Sequence, residues 1–156
     1  MIRRTCAVMV SLALGSCGTE PDRHAVDIGQ VVGLWHVSLT PDQGCTRTNP
    51  TTALDLDLAA LSPIGADIVS LQGGWEFAPV TNPGRPLTGT LDLRAGAFHA
   101  DLASTAPIAQ ARLEGSVVGN MESAPALTGS LTDPASGTGP GIFGAGSCTY
   151  TATGQH

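Results

Sequence analysis

Leu87-Thr88-Gly89-Thr90-Leu91 alternates apolar and polar residues about a central glycine. The pattern returns as Leu113-Glu114-Gly115-Ser116-Val117 and Leu127-Thr128-Gly129-Ser130-Leu131. A two-residue period marks an extended strand with one face turned to a core. Glycine on the apolar face of a strand permits sharp coiling or close approach of a neighbouring backbone. One curved sheet that uses the same bend repeatedly accounts for the motif. A solenoid is the alternative, but its repeats would be even, whereas these copies lie 26 and then 14 residues apart.

The alternation continues outward from these three segments. Val31, Gly33, Trp35, Val37 and Leu39 share one face of an extended run, with Val32, Leu34, His36 and Ser38 on the other. Leu54, Leu56 and Leu58 interleave with Asp55 and Asp57. That window also fits a helix through Leu54, Leu58 and Leu61, but the strict period of two favours a strand. Further runs cover Ala66 to Leu71, Gly74 to Ala78, Leu87 to Leu93, Ala97 to Ala103, Gln110 to Val118, Ala126 to Thr132 and Ser147 to Thr153, each bounded by glycine, proline or asparagine. The expected fold is a single all-β domain over residues 31–156. It is a small antiparallel barrel of about eight strands or, alternatively, a β-sandwich.

Residues 1–16 have the layout of an export signal: Arg3 and Arg4, an apolar run from Cys6 to Leu14, then small residues. The apolar run is roughly half the ~20 residues of a membrane-spanning helix. An ordinary secretory signal is one reading, but it needs small residues at −1 and −3 of its cut. Leu14-Gly15-Ser16-Cys17 instead resembles the lipobox of bacterial lipoprotein signal peptides. The resemblance implies that Cys17 is the first mature residue and carries a diacylglyceryl thioether, with further acylation making the membrane anchor stable. Gly18 stands where an aspartate would signal inner-membrane retention, which in a Gram-negative cell implies the outer membrane. Residues 17–30 are polar and aperiodic, and read as a lipidated flexible tether.

With Cys6 removed and Cys17 lipidated, Cys45 and Cys148 remain as a pair. In an oxidising compartment such a pair forms a disulfide. A metal site is the alternative, but neither cysteine has a second cysteine or histidine at ligand spacing. Cys45 follows the first strand and Cys148 lies in the last, so their bond joins first and last strands. An up-and-down barrel closes there, though a Greek-key sandwich also satisfies the bond. Gly33-Leu34-Trp35 on the first strand resembles the opening motif of lipocalins and related calycin barrels. There the tryptophan plugs one barrel end beneath an arginine from a late strand, which implies Gly33 and Trp35 as a barrel-end anchor. This chain departs from that pattern, because no arginine follows Arg112.

The remaining residues exclude several chemistries. All seven basic residues are arginine, and the mature chain sets five of them against thirteen acids, a balance of −8. So acidic a chain repels phosphate backbones, which argues against nucleic-acid partners. Without lysine there is no Schiff-base catalysis. Gly139-Pro140-Gly141-Ile142-Phe143-Gly144 has the spacing of a nucleotide-binding loop but lacks the following helix, so it reads as a flexible connection. His24 and His156 lie at unrestrained positions, and His36 and His99 fall on solvent-facing strand positions. His99 and Asp101 share a face, but a metal needs a third ligand. Ser116 and Ser147 lack a nucleophile elbow, and Asp55 and Asp57 read as solvated acids on one strand face. Trp35, Trp75, Phe77, Phe98, Phe143 and Tyr150 read as core.

The function expected is therefore non-enzymatic and free of metal or cofactor: a membrane-anchored envelope lipoprotein with a structural or protein-interaction role. The alternative is a calycin-like barrel that holds a small apolar ligand. The small residues Gly89, Ala100, Ala111, Gly115 and Gly129 on apolar faces are compatible with an interior space for one.

Overall fold

A computed structural model describes residues 26–104, 110–121, 123–134 and 141–156. Eight strands follow one another around a closed antiparallel barrel: β1 (Gly33–Pro41), β2 (Ala53–Pro63), β3 (Ile68–Phe77), β4 (Arg85–Asp92), β5 (Ala97–Ala103), β6 (Gln110–Asn120), β7 (Ser123–Asp133) and β8 (Cys148–Gln155). β1 pairs with β2 along one side and β8 along the other, so the sheet has no free edge. This is the barrel, not the sandwich. The Cys45–Cys148 disulfide joins the end of the β1 region to the start of β8 across a sequence separation of 103.

The two barrel ends differ. At the helix end lie the single-turn helix α1 (Ile28–Val31), the β2–β3, β4–β5 and β6–β7 turns, and His156. At the loop end lie the β1–β2 and β3–β4 connections and residues 141–147 before β8, together with the disulfide.

The boundaries of β3 and β1 depart from the sequence reading. β3 runs unbroken where two runs are expected, because Gln72 and Gly73 stay in register with both β2 and β4. A Cβ on Gly73 would stand 1.7 Å from the Asp57 carbonyl oxygen, so only glycine lets β2 and β3 approach so closely. β1 starts at Gly33, not Val31. Val31 closes α1, and Gly33, at φ +135°, turns the chain from helix into barrel.

Residues 26–30 are also no tether. The Val26 N–H donates to Leu93 O at 3.1 Å and the Asp27 N–H to Gly119 O at 2.6 Å, while the Asp27 carboxylate caps α1 by accepting from the Gly29 N–H at 2.9 Å. A single helical turn cannot hold itself in water. Burial of Val26 and Val31 under the barrel end fixes it, which a reading of polarity along the chain does not register.

The interior is one continuous apolar core built by the expected alternation. Gly115 faces Gly129 in register across β6 and β7, and a Cβ on Gly115 would lie 2.1 Å from Thr128 O and 2.5 Å from Gly129 Cα. The motif glycines thus serve close strand approach. Trp35, Trp75 and Tyr150, all fully buried, fill the inside together with leucines from β2, β4, β5, β6 and β7.

Candidate functional site

The most highly organised polar centre lies at the loop end. Asp133, the last residue of β7, continues the inward face set by Leu127, Gly129 and Leu131, and its carboxylate is therefore carried into the barrel mouth. Arg47 reaches it from the β1–β2 loop and forms a buried ion pair, the two side chains being 2% and 0% exposed. The Asp133 carboxylate also accepts the backbone N–H groups of Ile142 (3.2 Å) and Phe143 (3.0 Å). Arg47 donates through Nη2 and Nε to Gly146 O at 2.8 and 3.1 Å, and through Nη1 to the Tyr150 hydroxyl at 3.3 Å. Gly141 lies so close that a Cβ there would meet both partners of the pair, at 2.6 and 2.7 Å.

An aromatic layer surrounds this pair. The Phe143 ring packs edge-on against Trp75 (5.5 Å), Phe77 (5.7 Å) and Tyr150 (6.3 Å). The Arg85 guanidinium stands 4.8 Å from the Trp75 ring centre and 4.9 Å from that of Phe77, and its Nε is 3.3 Å from Glu76. Phe77, at the mouth, is partly exposed, a departure from the expectation that it is core. The hydrogen bonds of Arg47 and Asp133 run to the chain itself and both groups are withdrawn from solvent. The arrangement clamps the β1–β2 and β7–β8 loops over the barrel mouth. The segment from Gly141 to Gly144 is therefore part of the clamp, not the free connection expected from its glycines.

At the helix end, Gly33 and Trp35 sit beneath α1. The Trp35 indole N–H donates to Val31 O at 2.7 Å. The ring packed on Trp35 from the late-strand side is the imidazole of His156, edge-on at 5.3 Å, with its Nε2 3.1 Å from Val32 O. His156 is thus held in place, contrary to the expectation from its position.

A third arrangement lies on the outer wall. Asp55 faces outward but is only 4% exposed, because His36 Nδ1 meets its Oδ1 at 2.7 Å and the Val80 N–H donates to Oδ2 at 2.6 Å. It is not the solvated acid expected, whereas Asp57, two residues on, is exposed. The interaction pins the β3–β4 loop against β2. His36 also borders a shallow groove of about 340 Å³ shared with Ser38, Thr128, Thr153 and Gln155.

The other residues singled out in the sequence are separately engaged. His99 Nδ1 lies 3.1 Å from Thr90 Oγ1. Asp101 binds Arg112 at 2.8 Å, and this hydrogen bond raises the Arg112 pKa above its usual value. Among the described residues, no three His, Cys, Asp or Glu side chains group as metal ligands. Cys17, His24, Gly139 and Pro140 lie outside the described residues.

Sequence reasoning missed Arg47, Asp133 and the burial of Asp55. A signal existed for Asp133, which stands two residues beyond Leu131 on the inward face. None existed for Arg47, whose partner is distant in sequence. No protein-family model, curated protein or solved structure matches the chain.

Proposed function

We propose that the chain is a lipid-anchored envelope protein whose barrel is a solid structural or protein-interaction module, not a carrier of an apolar ligand. The observation that carries this reading is the packed interior. Trp35, Trp75, Tyr150 and the inward leucines are withdrawn from solvent, neighbouring backbone closes over the motif glycines, α1 covers one end, and the Arg47–Asp133 clamp covers the other. Eight-stranded barrels divide into filled ones and ones holding a single ligand, and this core has the character of the first. The disulfide supports export, since such bonds persist in oxidising compartments. The lipobox supports attachment through Cys17 and placement at the outer membrane, with the bilayer and an envelope protein as partners.

Two measurements test the reading. Mass spectrometry of the N-terminal peptide from protein isolated from membranes should show Cys17 with its diacylglyceryl and acyl groups; an unmodified thiol there rejects the anchor. Organic extraction of the purified barrel should release no stoichiometric apolar compound beyond those acyl chains. A bound lipid or pigment recovered at one per chain establishes the carrier reading instead.

A further inference from the structure

We propose that the helix end of the barrel rests on the bilayer surface, with the β2–β3 and β6–β7 hairpins touching its interfacial layer. This rests on the proposed lipidation of Cys17. Among the described residues, six of the seven exposed large hydrophobic side chains lie at the helix end: Val32, Leu34, Ile64, Ile68, Val118 and Met121. The most exposed two, Ile64 at 60% and Met121 at 90%, occupy the tips of the two hairpins. Scattered surface hydrophobics need no explanation, but their confinement to one end of a barrel does.

The path of the chain points to the occupant. Val26 bridges to Gly119 and bonds Leu93, so the segment leading to Cys17 joins the barrel at the helix end. Nine residue steps separate Cys17 from Val26. A flexible chain of that length spans ~16 Å on average, and ~30 Å if fully stretched. β2, with eleven residues, is about 36 Å long, and a barrel tilt near 40° still leaves roughly 25 Å of height. The average span falls short of that height and only a nearly stretched segment exceeds it, so a lipid on Cys17 favours the helix end at the membrane over the loop end.

The chemistry of the rim favours a bilayer over a second protein. Ile64 and Met121 sit on separate tips, and the other four are spread over the end of α1 and strands β1, β3 and β6, whereas a stable protein interface needs a continuous patch of ~800 Å² per partner. Asp27, Asp67, Asp92 and Arg94 share this end, and Glu122 follows Met121 in the sequence. The charge balance there is negative, so contact is confined to the tips and anionic headgroups oppose it.

The test uses full-length protein isolated from membranes and reconstituted into phosphatidylcholine vesicles, with one nitroxide at Ile64→Cys, Met121→Cys or, as a loop-end control, Thr81→Cys. All three positions are exposed, so the core is undisturbed. Flotation with the vesicles and the mass of the N-terminal peptide report the anchor independently of the labels. Spectral broadening by oxygen should exceed that by a water-soluble nickel chelate at positions 64 and 121, and the order should reverse at 81. Adding phosphatidylglycerol should lower the contrast. Water-like labels at 64 and 121 in protein that floats and carries lipid overturn the docking while the anchor stands. A lipid-like label at 81 alone overturns the orientation. Protein that neither floats nor carries lipid overturns both.

Discussion

The buried Arg47–Asp133 pair is the residue-scale feature with the largest expected consequence. Two charges withdrawn from water are tolerated only while they satisfy each other. Asp133→Ala leaves a buried guanidinium unpaired and strips the Ile142 and Phe143 N–H groups of their acceptor. We expect a loss of ~3–5 kcal/mol in urea unfolding. Adding Arg47→Met to Asp133→Ala should recover part of that loss, because no orphan charge remains. A double variant as unstable as the two single losses added together would show that the residues act independently. The motif glycines give a second residue-scale expectation. Gly115→Ala forces a methyl to within 2.1 Å of Thr128 O, and should cost ~1–3 kcal/mol as overpacking. Gly44→Ala, with nothing within 4 Å, should stay within about 0.5 kcal/mol of the parent. Paired thermal melts decide this, and equal shifts would show that the close approach is not what the glycine serves.

At the scale of elements, α1 and the disulfide close opposite ends of one barrel. Val26→Asp puts a carboxylate beneath α1, so that end should loosen locally: amide exchange should accelerate in α1 and at the end of β6 while mid-barrel amides stay protected. Acceleration spread evenly over all strands would mean that α1 belongs to the same cooperative unit as the barrel wall. The disulfide closes a long loop and ties β8 to the segment that presents Arg47. Replacing both Cys45 and Cys148 by serine should lower unfolding stability by ~2–5 kcal/mol, read from urea midpoints. An unchanged midpoint would mean that the Arg47 clamp alone holds the loop end.

At the scale of the whole molecule, the barrel exists only when β1 meets β8, the strand most distant from it in sequence. Loop closure must precede the contacts that stabilise it, so refolding with the disulfide reduced should take milliseconds to seconds. Stopped-flow tryptophan fluorescence reads this directly, since Trp35 packs against His156 of the helix end and Trp75 against Phe143 of the loop end. The same two rings then report whether the ends form together. The ends also divide the surface: an apolar-tipped rim where the chain enters, and a clamped polar mouth away from it.

Much of this architecture is written in local pattern. Alternation along β1, β2 and β4 to β8 sets their inward faces, because a strand with one buried side has no other way to hide its apolar residues. The cysteines, with Cys17 set aside on the resemblance of its surroundings to a lipobox, point to a meeting of first and last strands, which a Greek-key sandwich also allows. The lipobox likewise carries the expectation of an anchor without any need of the fold. Tertiary structure decided what local pattern cannot carry. Arg47 and Asp133 are 86 positions apart, and nothing short of barrel closure brings them together. Asp55 reads as a solvated acid until the β3–β4 loop and His36 cover it. Residues 26–30 read as polar linker until a barrel end exists for Val26 and Val31 to cover. Each of these outcomes is a burial created by the closed barrel, and burial is a property of where the chain returns to, not of the residues it passes through.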